Sequence, residues 1–128
     1  MYQSLEIFRT SQAMALHAGK RQSVIARNIA NADTPGYRRR DIPDFADVVR
    51  PDPATRMRAT RASHLNGALA GRMPDADLRE IAESEPNGNS VSLETEMMQA
   101  VAVQQAHDRA LAIYRSGLTL LRTALGRR

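Results

Sequence analysis

Residues 91–125 read VSLETEMMQAVAVQQAHDRALAIYRSGLTLLRTAL, a stretch with no proline and a single glycine. Positions 93, 97, 100, 104, 107, 111, 114, 118, 121 and 125 step by four and three throughout, and they hold Leu, Met, Ala, Gln, His, Leu, Tyr, Leu, Leu and Leu. An apolar repeat of 3.5 residues is the period of a helix that packs lengthwise along another helix. The spacing predicts one long helix, roughly 50 Å at about 1.5 Å per residue. Its packing face carries Leu93, Met97, Leu111, Tyr114, Leu118, Leu121 and Leu125, with His107 as a packed, hydrogen-bonded member of the row. Ser92 is placed to cap the start, Glu94 and Glu96 put negative charge at the positive end of the helix dipole, and Gly126, Arg127 and Arg128 supply the stop. Val101, Val103, Ala106, Ala110 and Ile113 lie off the row and widen the apolar face beyond what one partner helix covers, so oligomerisation is expected.

A second, weaker helical stretch fills residues 5–30, where Leu5, Phe8, Ala15, Ala26 and Ile29 follow the same steps and Gln12, Gly19 and Gln22 take the remaining places. Gly19 costs about 1 kcal/mol of helix stability relative to alanine. It reads either as a tolerated flaw or as a point where another backbone comes close. Residues 36–90 differ in kind, holding Pro43, Pro51, Pro53, Pro74 and Pro86 with Gly67, Gly71 and Gly88. Within them, Phe45–Val49 and residues 77–83 suggest helical turns and residues 57–62 a short strand. The chain therefore divides into an N-terminal helical segment (1–35), an irregular Pro-, Gly- and Arg-rich middle (36–90) and a C-terminal heptad helix (91–128), together one domain. The fold class is mainly α: an elongated, coiled-coil-like hairpin of paired N- and C-terminal helices with a long irregular middle segment. Two helices alone bury little surface, which again points to assembly.

Composition excludes several function classes. The chain has 128 residues and no cysteine, which removes disulfides and thiolate chemistry. His17, His64 and His107 are far apart and lack metal-ligand spacing, so no metal and no cofactor are expected. No nucleophile–base arrangement marks a catalytic site, so no catalytic residue and no enzymatic activity are expected. The net charge of +4 is spread over the two ends, since residues 36–90 hold nine bases and nine acids. A nucleic-acid binder concentrates its charge on one face, and here Arg38, Arg39 and Arg40 run directly into Asp41, Asp44 and Asp47. These read as solvated or inter-subunit charge pairs, not phosphate contacts. No run approaches the ~20 apolar residues of a membrane span, and MYQSLEIFRTSQ lacks the features of a cleaved secretory signal.

Between the helices stands NIANADTPGYRRRD, residues 28–41. Thr34 precedes a proline and is driven out of helical geometry. Pro35 and Gly36 suit the central positions of a type II turn. Asn31 or Asp33 can end the helix through left-handed geometry or backbone bonds. None of this requires Asn28, nearly a turn earlier.

The motif and its setting resemble the signature of the bacterial flagellar basal-body rod proteins, and among them the proximal rod proteins. Asn28, Ile29, Asn31, Asp33, Thr34, Pro35, Gly36 and Tyr37 carry it, supported by residues 88–125. The resemblance implies a structural subunit that assembles helically through its terminal helices into a torque-transmitting shaft spanning the periplasm. It implies export through the flagellar apparatus without a cleaved signal peptide. The implied partners are other copies of the chain, other rod proteins, the adaptor FliE, the adjacent proximal rod protein and the export apparatus, with no nucleic acid and no membrane insertion. On this basis the turn would present Tyr37 and Arg38 to a neighbour, and Leu5, Phe8, Ala15 and Ile29 would join the row Leu93–Leu125 in helix packing or subunit contacts. A small cytoplasmic helical export chaperone or adaptor is the alternative from another class.

Overall fold

Helix makes up most of what the computed structural model describes, which is residues 2–49, 78–80 and 88–126. Helix α1 spans Tyr2–Ala30 and helix α3 Leu93–Ala124; between them come strand β1 (Arg40–Asp41), the short helix α2 (Phe45–Val49) and strand β2 (Arg79–Glu80). The amide of Asn28 bonds Glu96 at one end of the long pair, and the Phe8 ring lies against Gly117 at the other. The long helices are thus an antiparallel hairpin, and the mainly α architecture with paired terminal helices is what the sequence predicts.

The seam between them follows a 3–4 pattern whose most buried row lies one residue before one of the two rows that the sequence spacing picks out. On α1, Phe8, Ala15 and Ile29 are half-buried as expected, but the buried row is Ser11, Ala18 and Ile25, not positions 12, 19 and 26. On α3, Ala100, His107 and Leu121 keep their places, while the buried row is Glu96, Val103, Ala110 and Gly117. Ala18, Ile25 and Val103 form the central cluster, with Ile29 and Ala100 packed against it. The displacement has a physical cause. The inner row mixes Ile25 and Val103 with small and polar residues (Ser11, Ala18, Glu96, Ala110 and Gly117), while many bulkier apolar residues of α3 lie off it. Counting large apolar residues therefore points to the flank. Ser11 satisfies its buried hydroxyl within its own helix, donating to the Phe8 carbonyl at 3.1 Å.

Glycine matters at Gly117, not Gly19. A Cβ on Gly117 would stand 3.2 Å from the Phe8 ring, whereas one on Gly19 would meet nothing within 4 Å. Phe8 also contacts Tyr114 edge-to-face, with centroids 5.2 Å apart. Gly19 is thus exposed helix surface, and close approach occurs on the partner helix instead.

Away from the turn, β1 and α2 also dock on α1. The Phe45 ring of α2 meets His17 edge-on at 5.6 Å. Arg21 forks onto Asp41, with Nε to Oδ1 at 3.1 Å and Nη2 to Oδ2 at 3.2 Å, and its Nη1 reaches Asp44. Strand β2 pairs antiparallel with β1, Arg40 opposite Glu80 and Asp41 opposite Arg79. Residues 79–80 are thus a strand within the stretch 77–83 where a helical turn is expected, the rest of which, 77 and 81–83, lies outside the described residues. Arg38 and Arg40 both reach Glu80, at 3.9 and 3.4 Å, and at 79–80 tertiary pairing overrides local propensity. Residues 57–62 lie outside the described residues.

Two outcomes follow for stability. Gly117→Leu should push Phe8 out of the seam and lower stability by about 1–3 kcal/mol, the usual cost of overpacking, whereas Gly19→Ala should raise it by about 0.5–1 kcal/mol; urea denaturation followed by circular dichroism measures both. His17 titrates below its ordinary value of 6.5, chiefly because burial penalises the charged ring; Arg21 and Lys20 act in the same direction, while Asp44 and a bond to Pro43 oppose it. A depressed folded-state value means that the unfolded chain takes up the proton first, so this contribution is complete above pH 6.5 and is lost as pH falls through the folded value. Thermal melts should show His17→Gln losing less stability than the parent between pH 7.5 and pH 5; equal losses would remove His17 from the acid response.

Candidate assembly site: the hairpin junction and the exposed helix faces

The chain leaves α1 through tightening turns. Asn31, Ala32 and Thr34 donate their amides to the carbonyls of Asn28, Ile29 and Asn31 at 3.0, 3.2 and 3.0 Å. Asn31 bonds backward from Nδ2 to the Arg27 carbonyl at 2.7 Å. No described residue other than glycine has positive φ, so Asn31 and Asp33 end the helix without left-handed geometry. Tyr37 N then bonds Thr34 O at 3.2 Å across Pro35 and Gly36, and Gly36 has φ +73°, the type II arrangement.

Asn28 is explained by what comes back to it. Its side chain is buried. Nδ2 donates to the Arg40 carbonyl at 2.7 Å and to Glu96 Oε2 at 3.1 Å; Oδ1 accepts from Arg40 N at 3.2 Å and from the Tyr37 hydroxyl at 3.4 Å. All the hydrogen-bonding capacity of one amide is used. Towards Arg40 it substitutes for a neighbouring strand, satisfying both backbone groups of a β1 residue.

Glu96 has no solvent exposure and sits at the centre of this junction. Its second oxygen accepts from Arg39 Nε, while Arg39 Nη2 reaches Gln99 Oε1 at 2.7 Å and lies 3.6 Å from Asp41 Oδ2. Asn89 closes the opposite side. Its Nδ2 faces the carbonyls of Asn31, Ala32 and Thr34 at 3.2, 2.5 and 3.0 Å, and its Oδ1 accepts from Val91 N at 2.8 Å. Carbonyls of the turn that follows α1 are thereby met by a residue 55–58 positions away in sequence. Ser90 joins in through N to Tyr37 O at 3.1 Å and through Oγ, which accepts from Arg39 N at 2.7 Å. Gly88 runs so near Gly36 that a Cβ on it would stand 3.4 Å from Gly36 Cα. Ser92 occupies the cap position of α3 but makes no side-chain capping bond.

The signature residues divide by depth. Asn28 is buried, and Ile29, Asn31 and Tyr37 are half-buried; Asp33, Thr34, Pro35 and Gly36 are exposed at the tip. Tyr37 points its hydroxyl inward to Asn28, and of the three consecutive arginines Arg39 is buried while Arg38 and Arg40 are exposed. Among the packing residues, Leu111, Leu118 and Leu121 are half-buried, the Leu5 side chain lies outside the described residues, and Leu93, Met97, Tyr114 and Leu125 are exposed. Met98, Val101, Ile113 and Leu120 are exposed as well. The large apolar side chains of α3 thus lie mostly outside the hairpin seam. Among the described residues no cluster of three or more His, Cys, Asp or Glu could hold a metal, and no helix is long and apolar enough to cross a membrane.

The model of the flagella basal body rod protein family matches residues 12–38, which run from the middle of α1 through the turn. The chain is similar to the flagellar basal body rod protein FlgB of Salmonella typhimurium, at 36% identity over 123 residues covering 89% of this chain and 83% of that one. It is 41% identical over 98 residues to the protein of the same name from Escherichia coli K12, covering 69% of each. A FlgB from Cereibacter sphaeroides is 29% identical over 115 residues, covering 90% of this chain and 89% of its own.

Breaking a buried ion pair from one side leaves a charge without a partner and costs about 3–5 kcal/mol. Glu96→Ala should destabilise the chain by that order, stranding Arg39 and one hydrogen of Asn28, whereas Glu94→Ala, at an exposed position on the same turn, should change stability by less than about 0.5 kcal/mol. Denaturant titration of the two variants measures the contrast.

Proposed function

The chain belongs to the family of flagellar basal body rod proteins, and we propose that the large apolar residues outside its hairpin seam are the contacts by which it is built into the rod. Its role is structural, as a subunit of the basal-body rod that associates with other rod components. The observation behind this reading is the placing of the large apolar residues of α3: the seam takes Val103, Ala110 and Gly117 from that helix, and Leu93, Met97, Met98, Val101, Ile113 and Leu120 remain exposed on it. Such a surface is far more apolar than an isolated subunit needs. It suits a subunit whose stability is completed by its neighbours.

The finer assignments belong to the same proposal. The subunit sits in the proximal rod, beside further copies of itself, FliE and the adjacent proximal rod protein. It crosses to the periplasm through the flagellar export apparatus without a cleaved signal. The exposed tip Asp33–Gly36 and the exposed Leu93, Met97, Tyr114 and Leu125 are subunit contacts, while Asn28, Ile29 and Tyr37 shape the junction behind them. Catalysis has no part in this role. A cytoplasmic export chaperone would also use exposed apolar helix surface, but the family relationship disfavours it.

Deleting the gene should abolish external flagella and motility, and tagged protein should be recovered in detergent-extracted basal bodies. Protein confined to the cytosol beside intact basal bodies lacking it would overturn the rod assignment. Val101→Asp tests the surface itself, since Val101 is 60% exposed and its substitution should leave the helicity and melting of the isolated chain unchanged while preventing incorporation and swimming. Normal motility of that variant would remove this face of α3 from the contacts.

A further inference from the structure

The buried positions of both long helices repeat by seven. On α1 they are Ser11, Ala18 and Ile25, with Asn28 buried outside this repeat. On α3 the row is Glu96, Val103, Ala110 and Gly117, and one more step reaches Ala124. Sliding α3 by one heptad, about 10 Å at 1.5 Å per residue, would set Val103 where Glu96 stood, Ala110 for Val103, Gly117 for Ala110 and Ala124 for Gly117. Every incoming residue is apolar or small, and the one tight place is that of Gly117, where the Ala124 Cβ would stand 3.2 Å from the Phe8 ring and the ring would have to give slightly. Apolar burial along such a seam distinguishes poorly between registers.

The polar groups do not repeat. Asn28 and Arg39 converge on Glu96 from α1 and from the segment beyond the turn. After a one-heptad slide, Glu96 would be carried away from both, Asn28 would face Val103, and a guanidinium and an amide would lose their acceptor inside the protein. The loss of a partner for a buried polar group weighs more than the gain from making one bond. We propose that the Asn28–Arg39–Glu96 cluster is a register lock, which selects one axial alignment of α1 and α3 among those that the heptad seam alone would accept. Its value is specificity more than stability, since buried ionic groups can often be exchanged for apolar ones without loss of stability. The consequence for the shaft, that every subunit presents its outer face at the same height, rests on the rod reading. The lock itself belongs to the isolated chain.

The chain has no cysteine, so spin labels can be placed at will. Arg27→Cys and Arg122→Cys put labels at exposed positions near the C-terminal ends of the two antiparallel helices, and their separation lies mostly along the axis. Double electron–electron resonance on labelled protein diluted with unlabelled chain should give a single distance in the parent. In the triple variant Asn28→Leu, Arg39→Met, Glu96→Leu, with helicity retained, a second population should appear about 10 Å shorter, as a one-heptad slide brings Gly117 to the place of Ala110. The control Val103→Ala, which weakens the apolar layer but spares the cluster, should keep the single distance. One unshifted distance in the triple variant would overturn the proposal, because the contacts of Asn89 and Ser90 would then suffice to set the register. Loss of helicity in the triple variant but not in the control would overturn it too, making the cluster a source of stability. Because the readout is on purified chain, its failure leaves the rod assignment standing, and failure of the basal-body experiment leaves the lock standing.

Discussion

A carboxylate sealed from water has to be met by opposite charge and by donors, and Glu96 imposes that requirement on this chain. Meeting it draws in Asn28 near the end of α1 and Arg39 just beyond the turn, and Arg39 is held in its place by Gln99, one helical turn further along α3. Once Arg39 is fixed, its neighbour Arg40 is aligned for the Asn28 amide to bond both of its backbone groups. The turn must then bring the chain back within a few residues of leaving α1, and only a tight reversal with glycine at positive φ does so. The signature at 28–41 can thus be understood as one construction whose purpose is to return a strand to the helix it has just left.

Much of this was legible in the sequence and some was not. The helices, the short helix at Phe45–Val49 and the Pro35–Gly36 turn follow from periodicity, chain breakers and the φ preferences of two residues. The exact seam did not, because Ser11 and Glu96 are polar and Gly117 has no side chain, yet they are what the interior accepts. Glu96 invites a simpler reading as a helix-dipole residue beside Glu94, and nothing local separates the two glutamates. Its position seven residues before Val103, on the row that continues through Ala110 and Gly117, was the available signal. Asn89 is similar: a residue just ahead of a helix reads as part of its start, while here it also closes the end of another helix. Pairings across more than fifty residues have no local trace.

The contrast between seam and surface connects fold to role. A hairpin meant to stand alone would turn its leucines and methionines inward. This one turns Ser11, Ala18, Ile25, Val103 and Ala110 inward, seats the Phe8 ring against Gly117, and leaves Met97, Met98, Val101 and Leu120 outside. The external apolar residues give the hairpin somewhere to bind. Stability is divided between the polar junction and the small apolar core of Ala18, Ile25 and Val103, which the chain supplies itself, and the apolar flank, which requires neighbours.

That division also explains why the middle segment can be long without disturbing the helices. Its two ends meet at the junction, where Gly36 and Gly88 run side by side and Ser90 bonds both Tyr37 and Arg39. Whatever lies between departs from and returns to one point, so its length does not alter the alignment of α1 and α3. Loop closure grows only slowly more costly with length, and here it is secured by contacts outside the loop. The first part of the excursion is held separately, by Arg21 on Asp41 and Asp44 and by His17 on Phe45. A subunit organised in this way can vary its middle while keeping one invariant hairpin, because the forces that hold the hairpin are concentrated where the excursion begins and ends.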